Sequence, residues 1–201
     1  MSAAAEKALL RRKLAAIRDA MPAPERDAAS EAVARAVLEL PEVAAAGSVF
    51  LCLSFGSELD TQRLVERLLD DGRRLYVPRV RRGETEMHVH PFPCHLDQLS
   101  FGLVQPAEGE SELPSEEVDS TLEVALVAGL GFDRRGYRLG YGAGYFDRFL
   151  AGRPFPAIGL AFESQIIDEL PVEPHDVPMQ LVVTEQRTIA AGARDQGSGR
   201  D

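Results

Sequence analysis

The chain has 201 residues, a hydrophobic fraction of 45%, a charged fraction of 27% and a formal net charge of −10. These fractions are ordinary for a globular protein and exclude intrinsic disorder for most of the chain. The acidic balance argues against nucleic acid or an anionic membrane surface as a partner. The length suits one domain, which we place at residues 1–189, and residues 190–201 are predicted to form a disordered tail.

Redox and targeting signals are few in this sequence. Cys52 and Cys94 are too few for a disulfide framework and have no CxxC spacing. No apolar run approaches the length of a membrane span, and the N-terminus lacks the apolar segment and cleavage site of a signal peptide. We therefore expect an unprocessed cytoplasmic protein that acts as a monomer on small molecules.

Two helices are predicted over residues 1–38, because charged and apolar side chains alternate there at helical spacing. Pro22 and Pro24 divide them, since proline ends one helix and can begin the next. The following segment "GSVFLCLSF" (47–55) is a nearly continuous apolar run, which is typical of a strand buried on both faces. A parallel sheet is therefore predicted.

A β-α-β unit is predicted next. Asp60 is a candidate N-cap for the helix "TQRLVERLLDD", Gly72 is a candidate terminator, and "RRLYVPRV" reads as the second strand. The segment "EMHVHPF" alternates and predicts a short strand. Residues 109–120 predict an acidic, turn-rich loop.

The second half of the chain repeats this alternation. "LEVALVAGLGF" predicts a buried strand, and a helix is predicted to start within "GAGYFDRFLA". "FPAIGLAF" and "MQLVVT" predict further strands, and "ESQIIDELP" predicts a short helix or turn. Strands alternating with helices predict an α/β fold with an open, mainly parallel sheet and flanking helices.

The stretch "GFDRRGYRLGYGAGYFDRFL" (131–150) is the first candidate site, because it follows a buried strand and contains five glycines. Ligands of open parallel sheets bind beyond the carboxyl ends of the strands. Gly140, Gly142 and Gly144 let the backbone approach a ligand, so that N–H groups can converge on phosphate oxygens. The spacing matches neither GxxxxGK[ST] nor GxGxxG, and a plain strand-to-helix turn is the structural alternative.

Charged residues in the same stretch strengthen the anion-site hypothesis. Arg134, Arg135 and Arg138 concentrate cations although the chain is acidic. Asp147, near the start of the predicted helix, suits a Mg²⁺ ligand through its carboxylate oxygens. Capping of the helix or an ion pair with Arg148 is the alternative for this carboxylate.

Two aromatic residues and one acidic residue are candidate contacts for a flat heterocycle. Tyr141 and Tyr145 can stack on a ring or cover the core. Glu58 follows the first strand, at the carboxyl edge of the predicted sheet, where it can accept hydrogen bonds from ring nitrogens of a ligand.

The first helix carries a basic stripe. At about 100° per residue, Lys7, Arg11 and Arg18 fall beside the apolar stripe of the same helix. Cations at the edge of a packed face can lean over a cleft toward a polyphosphate. A solvated helix face is the alternative.

The segment "HVHPFPCH" invites a metal hypothesis through His88, His90, Cys94 and His95. We do not favour it, because two prolines fix the backbone in an extended or turning conformation rather than around a metal. Neither a Ser-His-Asp arrangement nor a GxSxG motif is present.

Several segments together resemble one family. "GLGFDRRGYRLGYGAGYFDRFL" is similar to the signature of the 5-formyltetrahydrofolate cyclo-ligase family, also called 5,10-methenyltetrahydrofolate synthetase. Four further segments resemble that family in order and spacing: "KALLRRKL", "FLCLSFGSELDT", "FGLVQP" and "LPVEPHDVPM". The resemblance covers residues 7–183.

The resemblance implies an activity and a fold. The activity is the ATP- and Mg²⁺-dependent closure of 5-formyltetrahydrofolate to 5,10-methenyltetrahydrofolate, with release of ADP and phosphate. In the family mechanism the γ-phosphoryl group moves to the formyl oxygen, and N10 of the folate then attacks the activated carbon. The implied fold is similar to the sugar-phosphate isomerase and CoA-transferase group.

The resemblance also implies roles for particular residues, with Arg138 and Tyr145 as the catalytic pair. The implied ATP contacts are Lys7, Arg11, Arg138, Leu139, Gly140, Tyr141, Gly142, Ala143, Gly144, Tyr145 and Phe146. The implied folate contacts are Leu53, Glu58, Tyr141, Gly142, Ala143, Gly144 and Tyr145. The implied Mg²⁺ ligands are Asp147 and Asp176.

Two positions depart from the family pattern. Ala143 stands where glycine or lysine is usual, and Phe146 stands where a second tyrosine is usual, so any role of that hydroxyl is in question. Phe146 therefore leaves open a folate- or nucleotide-binding paralogue without turnover. The implied fold alone leaves open an enzyme of the sugar-phosphate isomerase or CoA-transferase kind.

Overall fold

A computed structural model describes residues 3–100 and 102–192 of the chain. Its helices are α1 (Ala3–Asp19), α2 (Ala23–Leu38), α3 (Pro41–Ala44), α4 (Gln62–Asp70), α5 (Val118–Thr121) and α6 (Tyr145–Leu150), with short 3₁₀ helices at Ser115–Glu117 and Glu163–Gln165. Its strands are β1 (Ser48–Leu51), β2 (Arg74–Val80), β3 (Met87–Phe92), β4 (Leu96–Gln98), β5 (Val104–Pro106), β6 (Val124–Ala128), β7 (Gly131–Asp133), β8 (Arg138–Leu139), β9 (Ala157–Leu160), β10 (Ile166–Ile167), β11 (Leu181–Val183) and β12 (Thr188–Ala190).

The main sheet has seven strands in the order β12-β11-β9-β6-β1-β2-β3. The five inner strands are parallel to one another, and the two edge strands, β12 and β3, pair antiparallel with β11 and β2. The predicted open, mainly parallel sheet with flanking helices is confirmed. The proposed similarity to sugar-phosphate isomerases and CoA-transferases stays a prediction.

The inner strands are buried on both faces, as their apolar runs predict. In β1, Val49 and Leu51 pack into one apolar cluster, together with α2 and α4, while Phe50 packs into a second cluster on the opposite face. Strand β6 divides in the same way, with Leu126 on the first face and Val127 on the second. Side chains of a strand alternate between its faces, so both strands contribute to two cores at once.

The predicted β-α-β unit is present, since β1 and β2 are parallel neighbours joined by α4. Asp60 is not the predicted N-cap, because Thr61 occupies that position, but its carboxylate accepts the Gln62 N–H at 2.9 Å. The Thr61 hydroxyl instead accepts the Ser54 N–H at 3.1 Å. Gly72 ends the helix with a φ of +74°. The hydrogen bond between Ser54 and Thr61 ties the loop after β1 to the start of α4.

Two short sheets lie outside the predicted pattern: β4 pairs with β5, and β7 pairs with both β8 and β10. In the segment where a short helix or turn was predicted, Glu163–Gln165 form a 3₁₀ helix and Ile166–Ile167 form strand β10. Ala190, the first residue of the predicted tail, pairs with Leu181 in β12; the tail itself stays a prediction, since residues 193–201 lie outside the described residues. Among the described residues, no helix has the length and apolar character needed to cross a membrane.

Candidate active site

A cavity of about 520 Å³ opens at the carboxyl ends of the inner strands. Its floor comes from residues that directly follow β1 and β6, among them Leu53 and Gly129, and one wall comes from Val80 at the end of β2. This is where ligands of open parallel sheets bind. The location agrees with the prediction made from the glycine-rich stretch.

The structure brings every residue to which the family resemblance assigned a role to this one cavity. They come from α1, from the loop after β1, from the stretch 138–147 and from the loop before β11. The predicted residues that line it are Lys7, Arg11, Leu53, Glu58, Arg138, Leu139, Gly140, Tyr141, Gly142, Ala143, Gly144, Tyr145, Phe146, Asp147 and Asp176. Their individual roles stay predictions.

Lys7 is buried and held by two carboxylates. Its Nζ donates to Asp176 Oδ2 at 2.6 Å and to Glu173 Oε2 at 2.8 Å. Burial disfavours the charged amine, but the hydrogen bonds and charges of the two carboxylates raise the pKa of Lys7 above its ordinary value. Lys7 is therefore a fixed cation at the cavity wall, and α1 is tied to the loop before β11.

Arg11 lies one turn further along α1 and crosses the glycine-rich loop, which we define as residues 140–144. Its Nε donates to the Gly140 carbonyl at 2.8 Å. Gly142 has a φ of +107°, and a Cβ there would lie only 3.3 Å from Arg11 Cζ. The absence of a side chain at Gly142 thus gives the guanidinium room beside the loop.

Arg138, in β8, is the most deeply buried cation of the cavity, with 4% of its side chain exposed. Its Nη2 donates to Asp147 Oδ2 at 3.3 Å, and its guanidinium lies 4.9 Å from the centroid of the Phe146 ring. Among the described residues its Nε has no hydrogen-bond partner. Burial lowers the pKa of Arg138, and the Asp147 charge opposes that shift. A buried donor without a partner suits an anion that enters from the cavity.

Asp147 pairs with Arg138 rather than with Arg148, and it does not cap the helix that contains it. Its Oδ1 accepts the Val177 N–H at 3.3 Å, which places it beside the residue that follows Asp176. The two carboxylates predicted as Mg²⁺ ligands therefore share one wall with the cationic residues Lys7, Arg11 and Arg138, which we call the cationic wall.

The carboxylates of this wall fit Mg²⁺ by their chemistry. Glu173, His175 and Asp176 each place one ligand atom within 4.8 Å of the others. Mg²⁺ prefers oxygen ligands and usually binds through one or two carboxylates together with substrate phosphates. Asp147 and Asp176 both offer such oxygens at the cavity. The histidine-rich segment offers no such group among the described residues, because His88 instead contacts Glu84 and Glu112.

Glu58 and Tyr141 form the opposite end of the cavity, which we call the carboxylate–phenol end. The Tyr141 hydroxyl donates to Glu58 Oε1 at 2.6 Å, and the Phe55 N–H donates to Glu58 Oε2 at 3.3 Å. Burial raises the pKa of Glu58, against the opposing effect of these hydrogen bonds and of Arg18. Burial and the nearby Glu58 charge raise the pKa of Tyr141 to about 12. Tyr141 is therefore a neutral donor at physiological pH.

Tyr145 and Phe146 follow the glycine-rich loop and differ in environment. The Tyr145 hydroxyl donates to the Glu84 carbonyl at 3.0 Å, so it links α6 to the β2–β3 loop. The Phe146 ring packs against the second apolar cluster and beside the Arg138 guanidinium. The position that departs from the family pattern is thus filled by an aromatic ring in contact with a cation.

Three features of the site differ from the expectations or were not predicted. Arg134 and Arg135 do not line the cavity: Arg135 pairs with Asp133 at 2.7 Å in the β7–β8 turn, and Arg134 lies 3.5 Å from Asp168. Their positions in the sequence do not reveal this, since strand pairing decides which way a turn residue faces. The unpredicted lining includes an apolar wall from the β2, β3 and β5 region, formed by Pro78, Val80, Met87, Leu103 and Val104, beside the polar Gln105. The carboxylate of Glu173 was also not predicted.

The fold and the cavity define an α/β protein that holds small anionic ligands beyond the ends of a parallel sheet. The chain belongs to the 5-formyltetrahydrofolate cyclo-ligase family, whose model matches residues 3–185.

Individual relatives agree with this assignment. The solution structure of 5,10-methenyltetrahydrofolate synthetase from Aquifex aeolicus is similar to this chain with a TM-score of 0.77 and 29% identity, covering 97% of this chain and 95% of that one. The 5-formyltetrahydrofolate cyclo-ligase of Escherichia coli K12 is 30% identical over 173 residues, covering 83% of this chain and 92% of the relative. The Haemophilus influenzae enzyme of the same name is 31% identical over 186 residues, covering 85% and 92%.

Proposed function

We propose that the protein catalyses the ATP-dependent closure of 5-formyltetrahydrofolate to 5,10-methenyltetrahydrofolate, with release of ADP and phosphate. One observation carries this proposal: a single cavity has a cationic wall with carboxylates at one end and a carboxylate–phenol pair at the other. The first end suits a nucleotide polyphosphate, and the second suits the hydrogen-bonding edge of a pterin.

The chemistry requires positioning and charge neutralisation more than a protein nucleophile. The formyl oxygen attacks the γ-phosphorus of ATP, its bond to phosphorus forms, and ADP leaves. N10 then attacks the formyl carbon, and phosphate departs with the former formyl oxygen as N10 loses its proton. Arg138, Lys7 and Arg11 would bind the phosphate oxygens during both steps, and the glycine-rich loop allows the backbone to lie close to them.

Mg²⁺ is the metal that the family resemblance implies, and we assign its ligands to Asp147 and Asp176. When bound, the ion would neutralise charge on the transferred phosphoryl group. Asp147 also orients Arg138 through the contact at 3.3 Å, and Asp176 orients Lys7 through the contact at 2.6 Å. Each carboxylate would thus contact both the metal ion and one cationic side chain.

We place the pterin of the folate at the carboxylate–phenol end, with its formyl group directed toward the cationic wall. Glu58 and Tyr141 would hold the pterin, and the apolar wall formed by Val80 and its neighbours would pack against the rest of the folate. Tyr145, whose hydroxyl is engaged by Glu84, would shape the mouth of the cavity. A cytoplasmic location, a monomeric state and the absence of nucleic-acid and membrane partners stay predictions.

The test is a turnover assay with purified protein, Mg-ATP and 5-formyltetrahydrofolate, monitored by the absorbance of the methenyl product. We expect product only when ATP is present. Arg138→Met should lower kcat by about a hundredfold or more, as loss of one charge-stabilising donor does in other enzymes. Arg134→Met, in the same hairpin but outside the cavity, is the matched control and should keep full turnover. A wild-type protein that forms no ATP-dependent product at high concentration would refute the proposal.

A further inference from the structure

Arg18 is a buried arginine that does not line the cavity but contacts two residues that do. It lies in the last turn of α1, and 9% of its side chain is exposed. Its sequence position groups it with Lys7 and Arg11, at the cationic wall. The structure instead places it against the carboxylate–phenol end.

The guanidinium of Arg18 joins three segments of the chain. Its Nη1 donates to the Tyr141 hydroxyl at 3.0 Å and lies 3.7 Å from Glu58 Oε1. Its Nε donates to Ser57 Oγ at 3.0 Å, and its Nη2 lies 3.3 Å from Asp19 Oδ1. Helix α1, the loop after β1 and the glycine-rich loop therefore meet at one side chain.

The geometry of α1 explains why one basic stripe serves two ends of the cavity. Lys7 and Arg18 are eleven positions apart, or about 16 Å at 1.5 Å per helical residue. The helix thus presents Lys7 at the cationic wall and Arg18 at the carboxylate–phenol end.

We propose that Arg18 is a positioning residue for folate recognition, which holds the Glu58 carboxylate ionised and the Tyr141 hydroxyl aligned for a heterocycle that donates N–H groups. This inference rests on the proposed function. Glu58 is buried, with 10% of its side chain exposed, and a buried carboxylate loses its charge unless a cation or donor compensates. Arg18 is the cation that faces it. The other titratable groups facing Glu58 are Tyr141, which donates to it, and Cys52 at the end of β1.

The first experiment separates the two substrates. Arg18→Met keeps the aliphatic stem and removes the charge, so the KM for 5-formyltetrahydrofolate should rise about tenfold or more, as loss of one charge-assisted contact does. The KM for ATP should change by less than about twofold. Arg12→Met, on the exposed side of the same helix, should leave both values unchanged.

A pH profile distinguishes positioning from a structural role. Burial already raises the pKa of Glu58, and loss of Arg18 removes an opposing charge, so the pKa should rise further. The KM for folate in Arg18→Met should therefore increase more steeply than in the wild type as pH falls, and it should recover as pH rises. Arg18→Lys, which retains a charge, should restore much of the wild-type profile.

A double-mutant cycle tests whether Arg18 acts through Glu58. The chain has no tryptophan, so binding of 5-formyltetrahydrofolate without ATP is measured by titration calorimetry. In the Glu58→Gln background, Arg18→Met should weaken binding much less than in the wild type. Equal losses of affinity in both backgrounds, or equal rises in the KM values for folate and for ATP, would overturn the inference.

Tyr141→Phe gives a second measurement that does not depend on the stability of the Arg18 variants, because Tyr141 is 57% exposed. The folate affinity of this variant should also fall. An unchanged affinity would count against the inference.

The outcomes separate this inference from the proposed function. Turnover by the wild type without coupling between Arg18 and Glu58 refutes the inference alone. Coupled folate binding without any ATP-dependent product supports the inference and refutes the proposed reaction.

Discussion

Lys7 and Arg11 lie one helical turn apart, yet they are held differently at the cavity. Lys7 is compensated by Asp176 and Glu173, whereas the contact that Arg11 makes through Nε is with the neutral Gly140 carbonyl. A polyphosphate must compete with two carboxylates for Lys7. The same carboxylates keep the amine protonated and oriented before any ligand arrives. Lys7 is therefore already in place for a phosphate, but the phosphate must compete with these ion pairs.

Lys7→Met is the residue-scale test of the cationic wall. We expect the KM for ATP to rise about tenfold or more, because a charge-assisted contact with a phosphate is lost, while folate affinity measured without ATP stays within about twofold. Lys13→Met, on the exposed side of the same helix, is the matched control. Initial rates at saturating folate and varied ATP give the KM for ATP of each variant. If both variants show the same small change, Lys7 serves only its ion pairs with Asp176 and Glu173 and does not bind ATP.

At the scale of elements, the β2–β3 loop is fixed by a charged cluster that includes a histidine. His88 Nδ1 lies 2.6 Å from Glu112 Oε1, and its Nε2 lies 2.7 Å from Glu84 Oε2. Two backbone carbonyls of the same loop accept hydrogen bonds from α6. The Glu84 carbonyl accepts the Tyr145 hydroxyl at 3.0 Å, and the Thr85 carbonyl accepts Arg148 Nε–H at 2.8 Å. Through these contacts the cluster positions the first turn of α6, which borders the cavity.

His88→Ala should loosen this loop without disturbing the central sheet. Loss of two contacts with carboxylates should speed amide hydrogen exchange in residues 81–86 by about tenfold or more, and exchange in β6 should not change. His95→Ala is the control, because the His95 side chain is 93% exposed and pairs with the loop residue Glu110 rather than with the β2–β3 loop. Exchange followed by mass spectrometry measures the loop directly. An unchanged rate in residues 81–86 would show that other contacts hold the loop.

At the scale of the whole molecule, the central sheet was predictable and the small sheets were not. Strands β1 and β6 are continuous apolar runs, which indicate burial on both faces without knowledge of their partners. Strands β7, β8 and β10 have two or three residues each, and β10 pairs with β7 across a long stretch of chain. Such pairing depends on tertiary packing rather than on local pattern.

The candidate site shows the same limit. Its residues could be predicted because a family resemblance supplied their grouping, whereas residue types and spacing alone left each of them open to a structural explanation. The direction of individual cations could not be predicted, because it depends on distant partners: Arg135 faces Asp133 and Glu169, and Arg18 faces Glu58 and Tyr141. Helical spacing indicates which side chains lie on the same face of a helix, but not which residues of other elements they contact.

The stability of the molecule between pH 7 and pH 5 should depend on a second histidine, His90. It is 1% exposed, its Nδ1 lies 2.8 Å from the Ser111 carbonyl, and its Nε2 has no partner among the described residues. Burial lowers the pKa of His90 below its ordinary value, with Arg79 and Arg81 acting in the same direction and the Ser111 carbonyl and Glu112 opposing them. As pH falls below about 6.5, the unfolded chain therefore binds a proton that the folded chain does not, and the free energy of unfolding decreases.

The expected size is at most about 1.4 kcal/mol per pH unit, the value for one proton. Carboxylates whose pKa is lowered, such as Glu112 and Asp176, lose their contribution only at lower pH. Glu58 acts in the opposite direction, because burial raises its pKa, so the difference between wild type and variant isolates His90. His90→Asn, which keeps a neutral donor near the Nδ1 position, should flatten the loss of stability between pH 7 and pH 5 in urea unfolding, even if it is less stable at pH 7. His95→Asn should keep the wild-type dependence of the free energy of unfolding on pH. If His90→Asn shows that same dependence, His90 is protonated in the folded state as readily as in the unfolded one.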